Sequence, residues 1–223
     1  MAAFAYDSLH IDALSILAVN LDYGTGLTRV FTNEFERKGG QILATEYYDR
    51  GATDFRSSLS KLIQLHPQAI YLPGYYSEIG LAIRQAKELG YQGKLLSCVG
   101  FDDPKVLEIG GTAVEGVIFS RPLYDPNSSD SLVKDFVESF RKAYGTSPGI
   151  YAAHAFDAAR LTIAALDGAN ARTADSIVAV FKATKDFPGV TGPISFDQHG
   201  DVTKPTQFMI VRNSEFVPYG RIR

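Results

Sequence analysis

Residues 69–90, AIYLPGYYSEIGLAIRQAKELG, constrain the fold more than any other stretch of the chain. The apolar run Ala69-Ile70-Tyr71-Leu72 lies between Pro67 and Pro73-Gly74 and reads as a short buried strand. Helical spacing takes over at once: Ile79, Ala82, Ile83, Ala86 and Leu89 recur on one face before Gly90, with Ser77 placed to cap. A strand that passes straight into a helix is half of a βαβ unit. In such units the strands' carboxyl ends and the helices' amino ends share one edge of a parallel sheet, where ligands bind. Gly74-Tyr75-Tyr76 occupies that turn, so Tyr75 and Tyr76 are candidate ligand-binding residues, with flat apolar faces and two hydroxyls to offer. The plain structural alternative is one packed ring and one surface ring.

The same alternation runs through the first half. Residues 14–19 form a nearly continuous apolar strand of the sort buried on both faces of a parallel sheet. Asn20-Leu21-Asp22-Tyr23-Gly24 leads into a helix with Leu27, Val30, Phe31 and Phe35 on one side. Residues 41–48 alternate as a second strand, and Thr53 is placed to cap a helix with Phe55, Leu59, Leu62 and Ile63 inward. Residues 94–99 and 116–120 supply two more strands, the former followed by Gly100-Phe101-Asp102-Asp103-Pro104, where Asp103 caps and Pro104 opens a helix. A short helix is expected before the first strand, over 2–9. The fold class is α/β: a doubly wound parallel sheet.

The pattern changes after Arg121. Residues 122–127 read as a linker, and helices follow over 131–144, 150–166 and 174–183 with no strand between them. The middle one is apolar nearly all round and expects contacts on several sides. Strands over 192–196 and 207–211 come next, and Asn213-Ser214 turns tightly into 215–217. Helices without a sheet of their own expect to cover a sheet built elsewhere.

Other function classes find little support. The 223 residues carry a net charge of −3 with no Lys/Arg cluster, so a nucleic-acid partner has no electrostatic footprint. The longest apolar segment is broken by His154, Asp157 and Arg160, which argues against a membrane span, and Met1-Ala2-Ala3 opens no secretory signal. Gly24-Thr25-Gly26 suggests a dinucleotide loop, but Arg29 stands where a third glycine is needed. His10, His66, His154 and His199 lack metal-ligand spacing, Cys98 reads as core, and Asp197 with Asp201 reads as a turn device. No catalytic residue, metal or cofactor is expected. A phosphoacceptor receiver would want an Asp ending the third strand, where Leu72-Pro73 stands.

Taken in order, these motifs resemble the periplasmic solute-binding proteins of the branched-chain amino-acid ABC transport family, with a type I periplasmic binding fold. Asn20-Leu21-Asp22-Tyr23-Gly24 is similar to the family's N-D-Y-G, and Gly51-Ala52-Thr53-Asp54-Phe55 to its G-x-x-D-F. Tyr71-Leu72-Pro73-Gly74-Tyr75 resembles its cleft-facing strand and loop, and Gly100-Phe101-Asp102-Asp103-Pro104 its G-W-D-S-P. Residues 192–201 are similar to its late G-x-x-x-F-D-x-x-G-D. The resemblance covers essentially all of the chain but begins partway into a typical member. It implies a second-lobe α/β domain over 10–121, helices returning to a first lobe over 122–190, and a last hinge crossing over 191–223, with most of the first lobe lacking. It implies a non-enzymatic receptor, periplasmic or extracellular, that closes two lobes on a small amino-acid-like or aromatic or branched carboxylate. The membrane permease of an ABC transporter would be its partner, and the partial chain would tend to self-associate. A sensor domain of a receptor or regulator with the same fold is the alternative. Tyr23, Tyr75, Tyr76, Phe101 and Asp102 would meet the ligand. One departure bears on its identity: Val99 stands where many amino-acid-binding members carry an acid for the ligand's ammonium, so either Asp102 substitutes or the ligand is not an α-amino acid.

Overall fold

The computed structural model describes residues 1–169 and 173–220. Its elements are β1 (Ala13–Val19), α1 (Asp22–Arg37), β2 (Gln41–Tyr48), α2 (Arg56–Ile63), β3 (Ala69–Leu72), α3 (Tyr76–Glu88), β4 (Lys94–Ser97), α4 (Lys105–Gly110) and β5 (Ile118–Pro122). There follow α5 (Ser131–Tyr144), α6 (Ile150–Gly168), α7 (Ala174–Ala183), β6 (Phe187–Gly189), β7 (Gly192–Phe196), β8 (Val202–Thr203), β9 (Thr206–Arg212) and β10 (Glu215–Pro218). The chain divides into two compact units, Met1–Arg121 together with the residues from 207 on, and Pro122–Thr206.

The first unit is built on a seven-stranded sheet in the order β10-β9-β5-β4-β3-β1-β2. The pairs β1–β2, β1–β3, β3–β4 and β4–β5 are parallel, and β9–β10 is an antiparallel hairpin turned at Asn213 and Ser214, both at positive φ. Strand residues alternate between two cores. Leu17, Val19, Ile70 and Leu72 pack with Leu59, Leu62, Ile79, Ile83, Phe101 and Phe119. Leu14, Ile16, Ala18, Ala69 and Tyr71 pack on the other side with Ile11, Phe31, Phe35 and Leu96. Strands sealed on both faces are what a parallel sheet between helical layers demands, and their runs are apolar for that reason. The order 2-1-3-4-5 among the parallel strands puts the switch point, where the winding direction reverses, between β1 and β3.

Several expected boundaries move. The opening helix is a single π-type turn, Phe4–Ser8, whose Phe4 ring stacks on Phe208 at 3.9 Å. Ser77 lies inside α3 and donates to Glu78 rather than capping; Tyr75, with extended backbone, precedes the first turn. Thr53 does not cap α2 either. The side chain of Gln85 bridges the Phe55 N–H at 2.6 Å and the Thr53 carbonyl at 2.8 Å, a long-range cap that local spacing does not reveal. The fourth strand stops at Ser97, because Val99–Phe101 curls into a 3-10 turn.

In the second unit α5, α6 and the first residues of β7's hairpin enclose a small core of Tyr124, Val133, Phe136, Val137, Ile150, Ala153 and Val190. The three short strands β6, β7 and β8 form an antiparallel sheet, of which β6 and β8 were not foreseen. Asp157, 1% exposed on α6, ties that sheet down. Its carboxylate accepts from the Val190 N–H at 2.8 Å, the Thr191 N–H at 3.0 Å and the Thr191 hydroxyl at 2.6 Å. The α6 helix buries one stripe, Ile150, Ala153, Asp157, Leu161 and Ala165, rather than several faces, and α7 buries none of its residues.

Candidate functional site

Tyr23 stands in the first turn of α1, just past β1, and Tyr75 stands just past β3, so the two flank the switch point. Their rings stack at 5.2 Å with 24° between planes, each half-buried over the first core. Three glycines allow this approach. A Cβ on Gly24 would lie 2.1 Å from the Val19 carbonyl oxygen, one on Gly74 would strike the Tyr48 hydroxyl at 2.0 Å, and one on Gly100 would strike the Gly74 carbonyl at 1.9 Å. The Tyr23 hydroxyl lies 3.3 Å from the Cys98 Sγ at the end of β4, which fixes the ring's depth.

Around the pair sit charges of three kinds. The Arg50 guanidinium, from the loop after β2, lies over the Tyr75 ring at 5.1 Å. Glu78 on α3 is buried and accepts from the Gly51 N–H at 2.9 Å and from the Ser77 hydroxyl. Burial would raise its carboxyl, but those hydrogen bonds and the nearby Arg50 charge outweigh it and hold Glu78 below its ordinary range. Asp102 is 7% exposed and both of its oxygens accept from Arg121 Nη1, at 3.0 and 3.2 Å. Burial pushes its carboxyl up, with Arg121 pulling the other way. Beneath the site the Tyr48 hydroxyl is buried without a partner, and burial raises its pKa well above the ordinary phenol value.

Of the five residues expected at the site, the structure brings Tyr23 and Tyr75 together and puts Tyr76 beside them, half-buried at the start of α3. Phe101 lies behind them: it is 0% exposed and packs with Phe119 and Phe216 at 5.0 and 5.9 Å, supporting the edge from within the core. Asp102 is half of an ion pair with Arg121. Sequence reasoning missed Arg50 and Arg121. Arg50 had a usable signal, since it follows a strand's end on the same edge as the tyrosines; Arg121 had none, because its partner lies 19 residues away. Among the described residues, no three His, Cys, Asp or Glu side chains gather as a metal site, and no helix is long and apolar enough to cross a membrane.

Comparison with known proteins follows the same lines. The family model described as "Periplasmic binding protein" matches residues 1–215. A leucine-binding protein LivK from Thermotoga maritima superimposes with a TM-score of 0.90 at 34% identity, covering 99% of this chain and 63% of that one. The leucine-, isoleucine-, valine-, threonine-, and alanine-binding protein of Pseudomonas aeruginosa is 26% identical over 192 residues, 85% of this chain and 50% of its own length. A solute-binding protein of an ABC transporter from R. palustris, in complex with benzoate, shares the fold at a TM-score of 0.82 and 18% identity, covering 98% of this chain and 61% of that one. The chain thus spans about half the length of the curated relatives it matches. With its switch-point sheet and a family match along nearly its whole length, the chain belongs to the periplasmic binding protein family.

Proposed function

We propose that the chain carries part of the ligand surface of a receptor for uptake of a small amino-acid-like, aromatic or branched carboxylate solute, working with the membrane permease of an ABC transporter. The observation that supports this reading most is the stacked Tyr23–Tyr75 pair at the switch point of the sheet. Ligand contacts on this edge and on a facing lobe would shift an open–closed equilibrium, and the closed form would be the one the permease accepts. In this role Tyr23 and Tyr75 supply flat apolar area, Tyr76 extends it, and Phe101 keeps the edge rigid from within. The named ligands of the relatives, leucine to benzoate, are all small carboxylates.

Binding by this chain alone should be weak, in the millimolar range, because one face of a clamp recovers only part of the contact energy while the full cost of immobilising the solute remains. Calorimetric titration with leucine, isoleucine and benzoate tests this, with Tyr75→Ala as control. At least one solute should bind weakly and lose that binding in the variant. Micromolar or tighter binding would show that the chain holds a complete site, and no binding by any of the three would remove the receptor role.

A further inference from the structure

Resting on that reading, we propose that Asp102 and Arg121 are positioning residues: their buried ion pair holds the 98–102 turn in one pose, and that turn sets the Tyr23 and Tyr75 rings that meet the solute. The two side chains are 5% and 14% exposed, and both Asp102 oxygens accept from a single Arg121 nitrogen. A desolvated pair adds little net stability over apolar groups of the same size, and its best attested use is to select one arrangement. Here the arrangement is that of a stiff turn. The Phe101 N–H donates to the Cys98 carbonyl at 2.9 Å and the Asp102 N–H to the Val99 carbonyl at 3.0 Å. One side of the turn meets β5, with Phe101 against Phe119 and Asp102 on Arg121. The other side meets both loops that carry the stacked tyrosines. Cys98 Sγ lies 3.3 Å from the Tyr23 hydroxyl and 3.9 Å from the carbonyl of Gly74, the residue before Tyr75. A Cβ on Gly100 would lie 1.9 Å from that carbonyl and 3.3 Å from the Tyr23 hydroxyl. Contacts this close pass any shift of the turn on to the rings, because a packed interior has no slack to absorb it. Removing the Arg121 guanidinium would leave a buried carboxylate beside the like-charged Asp103, and drawing it toward water would displace the turn.

Nuclear magnetic resonance of the 223-residue chain with ring-labelled tyrosine tests this, first without solute and then titrated with leucine, isoleucine and benzoate. Arg121→Met should move the Tyr23 and Tyr75 ring signals together. Tyr91, at the opposite end of β4 with its hydroxyl on the Pro67 carbonyl, should stay fixed. The same variant should weaken any solute that binds the unaltered chain by about tenfold, and Arg121→Lys should restore part of both effects. The paired change of Asp102→Leu with Arg121→Met separates positioning from stability. It should recover the unfolding midpoint, since no charge is left buried alone, yet keep the displaced rings and the weakened affinity. A paired variant that recovers midpoint, rings and affinity together overturns the proposal, as do unmoved rings in a folded Arg121→Met chain. Should Arg121→Met not fold, the paired variant decides. If solutes bind every variant equally, the proposal falls and the receptor reading stands. If no solute binds the unaltered chain while the rings still move, the receptor reading falls and the turn's hold on the rings stands.

Discussion

The two units spend apolar residues in opposite ways. In the first, β1 and β3 are buried along almost their whole length and helices close both faces of the sheet. In the second, α7 buries none of its residues, and Tyr151 and Ile163 on α6 are 56% and 59% exposed. A side chain buries only where some element is available to cover it, and the described residues of the second unit cover one stripe of α6 where its composition asks for several. The first unit therefore has a rigid edge on which a binding site can be held. The second has helices whose outer faces are exposed among the described residues.

This contrast can be broken most easily in the first unit. Gly100→Ala should cost about 3 kcal/mol or more, because its Cβ would meet backbone 1.9 Å away and the loops carrying Tyr23 and Tyr75 would have to part. Denaturant unfolding measures it; a loss under about 0.5 kcal/mol would mean the edge is soft. In the second unit the comparable loss comes from a single polar tie. Asp157→Ala should cost about 3 kcal/mol, since three donors lose their acceptor together, and hydrogen exchange should show the 187–196 hairpin opening first. Val178→Ser on α7, 47% exposed, should by contrast change stability by less than about 0.5 kcal/mol.

Association comes next in size. We expect the exposed faces of α6 and α7 to drive self-association at high concentration, and the pair Ile163→Lys with Val178→Lys to reduce it. Sedimentation velocity at several concentrations distinguishes this from a chain that is monomeric throughout.

Acid sharpens the comparison with a smaller effect. Burial first, then the Lys204 charge, lowers the His154 imidazole below its ordinary value of 6.5, with Asp157 opposing. The unfolded chain then binds the proton more readily than the folded one, so the stability His154 contributes is present above 6.5 and lost as pH falls through the lowered value. The Asp102 carboxyl, raised above its ordinary 3.8 chiefly by burial, has the opposite sign: its contribution is fullest below 3.8 and fades as pH rises through the raised value. His154→Gln should flatten the first trend and Asp102→Asn the second, as read from segment-resolved hydrogen exchange against pH.

The alternation of apolar runs and helical periods was enough to read the doubly wound sheet, the helices over 131–144 and 174–183, and the hairpin turn at Asn213-Ser214. Local signals gave Tyr23 and Tyr75 a place on one edge but could not say that their rings touch, because that depends on β1 and β3 being neighbours, a long-range fact. Phe101 shows the limit from the other side. An aromatic on a loop after a strand reads the same whether it faces solvent or the core, and the 3-10 turn at Val99–Phe101 is what sends it inward. The Gln85 bridge and the Asp102–Arg121 pair were hidden for the same reason, since each joins segments that only the fold brings together.

The most direct measurement of the central idea is a titration of ring-labelled tyrosine with benzoate, followed by nuclear magnetic resonance across all 12 tyrosines. The ring signals of Tyr23 and Tyr75 should shift together along one saturation curve, with Tyr144 and Tyr151 as unmoved controls. Shifts at the controls alone, or Tyr23 and Tyr75 signals that stay fixed while other rings respond, would place the solute elsewhere and contradict the account.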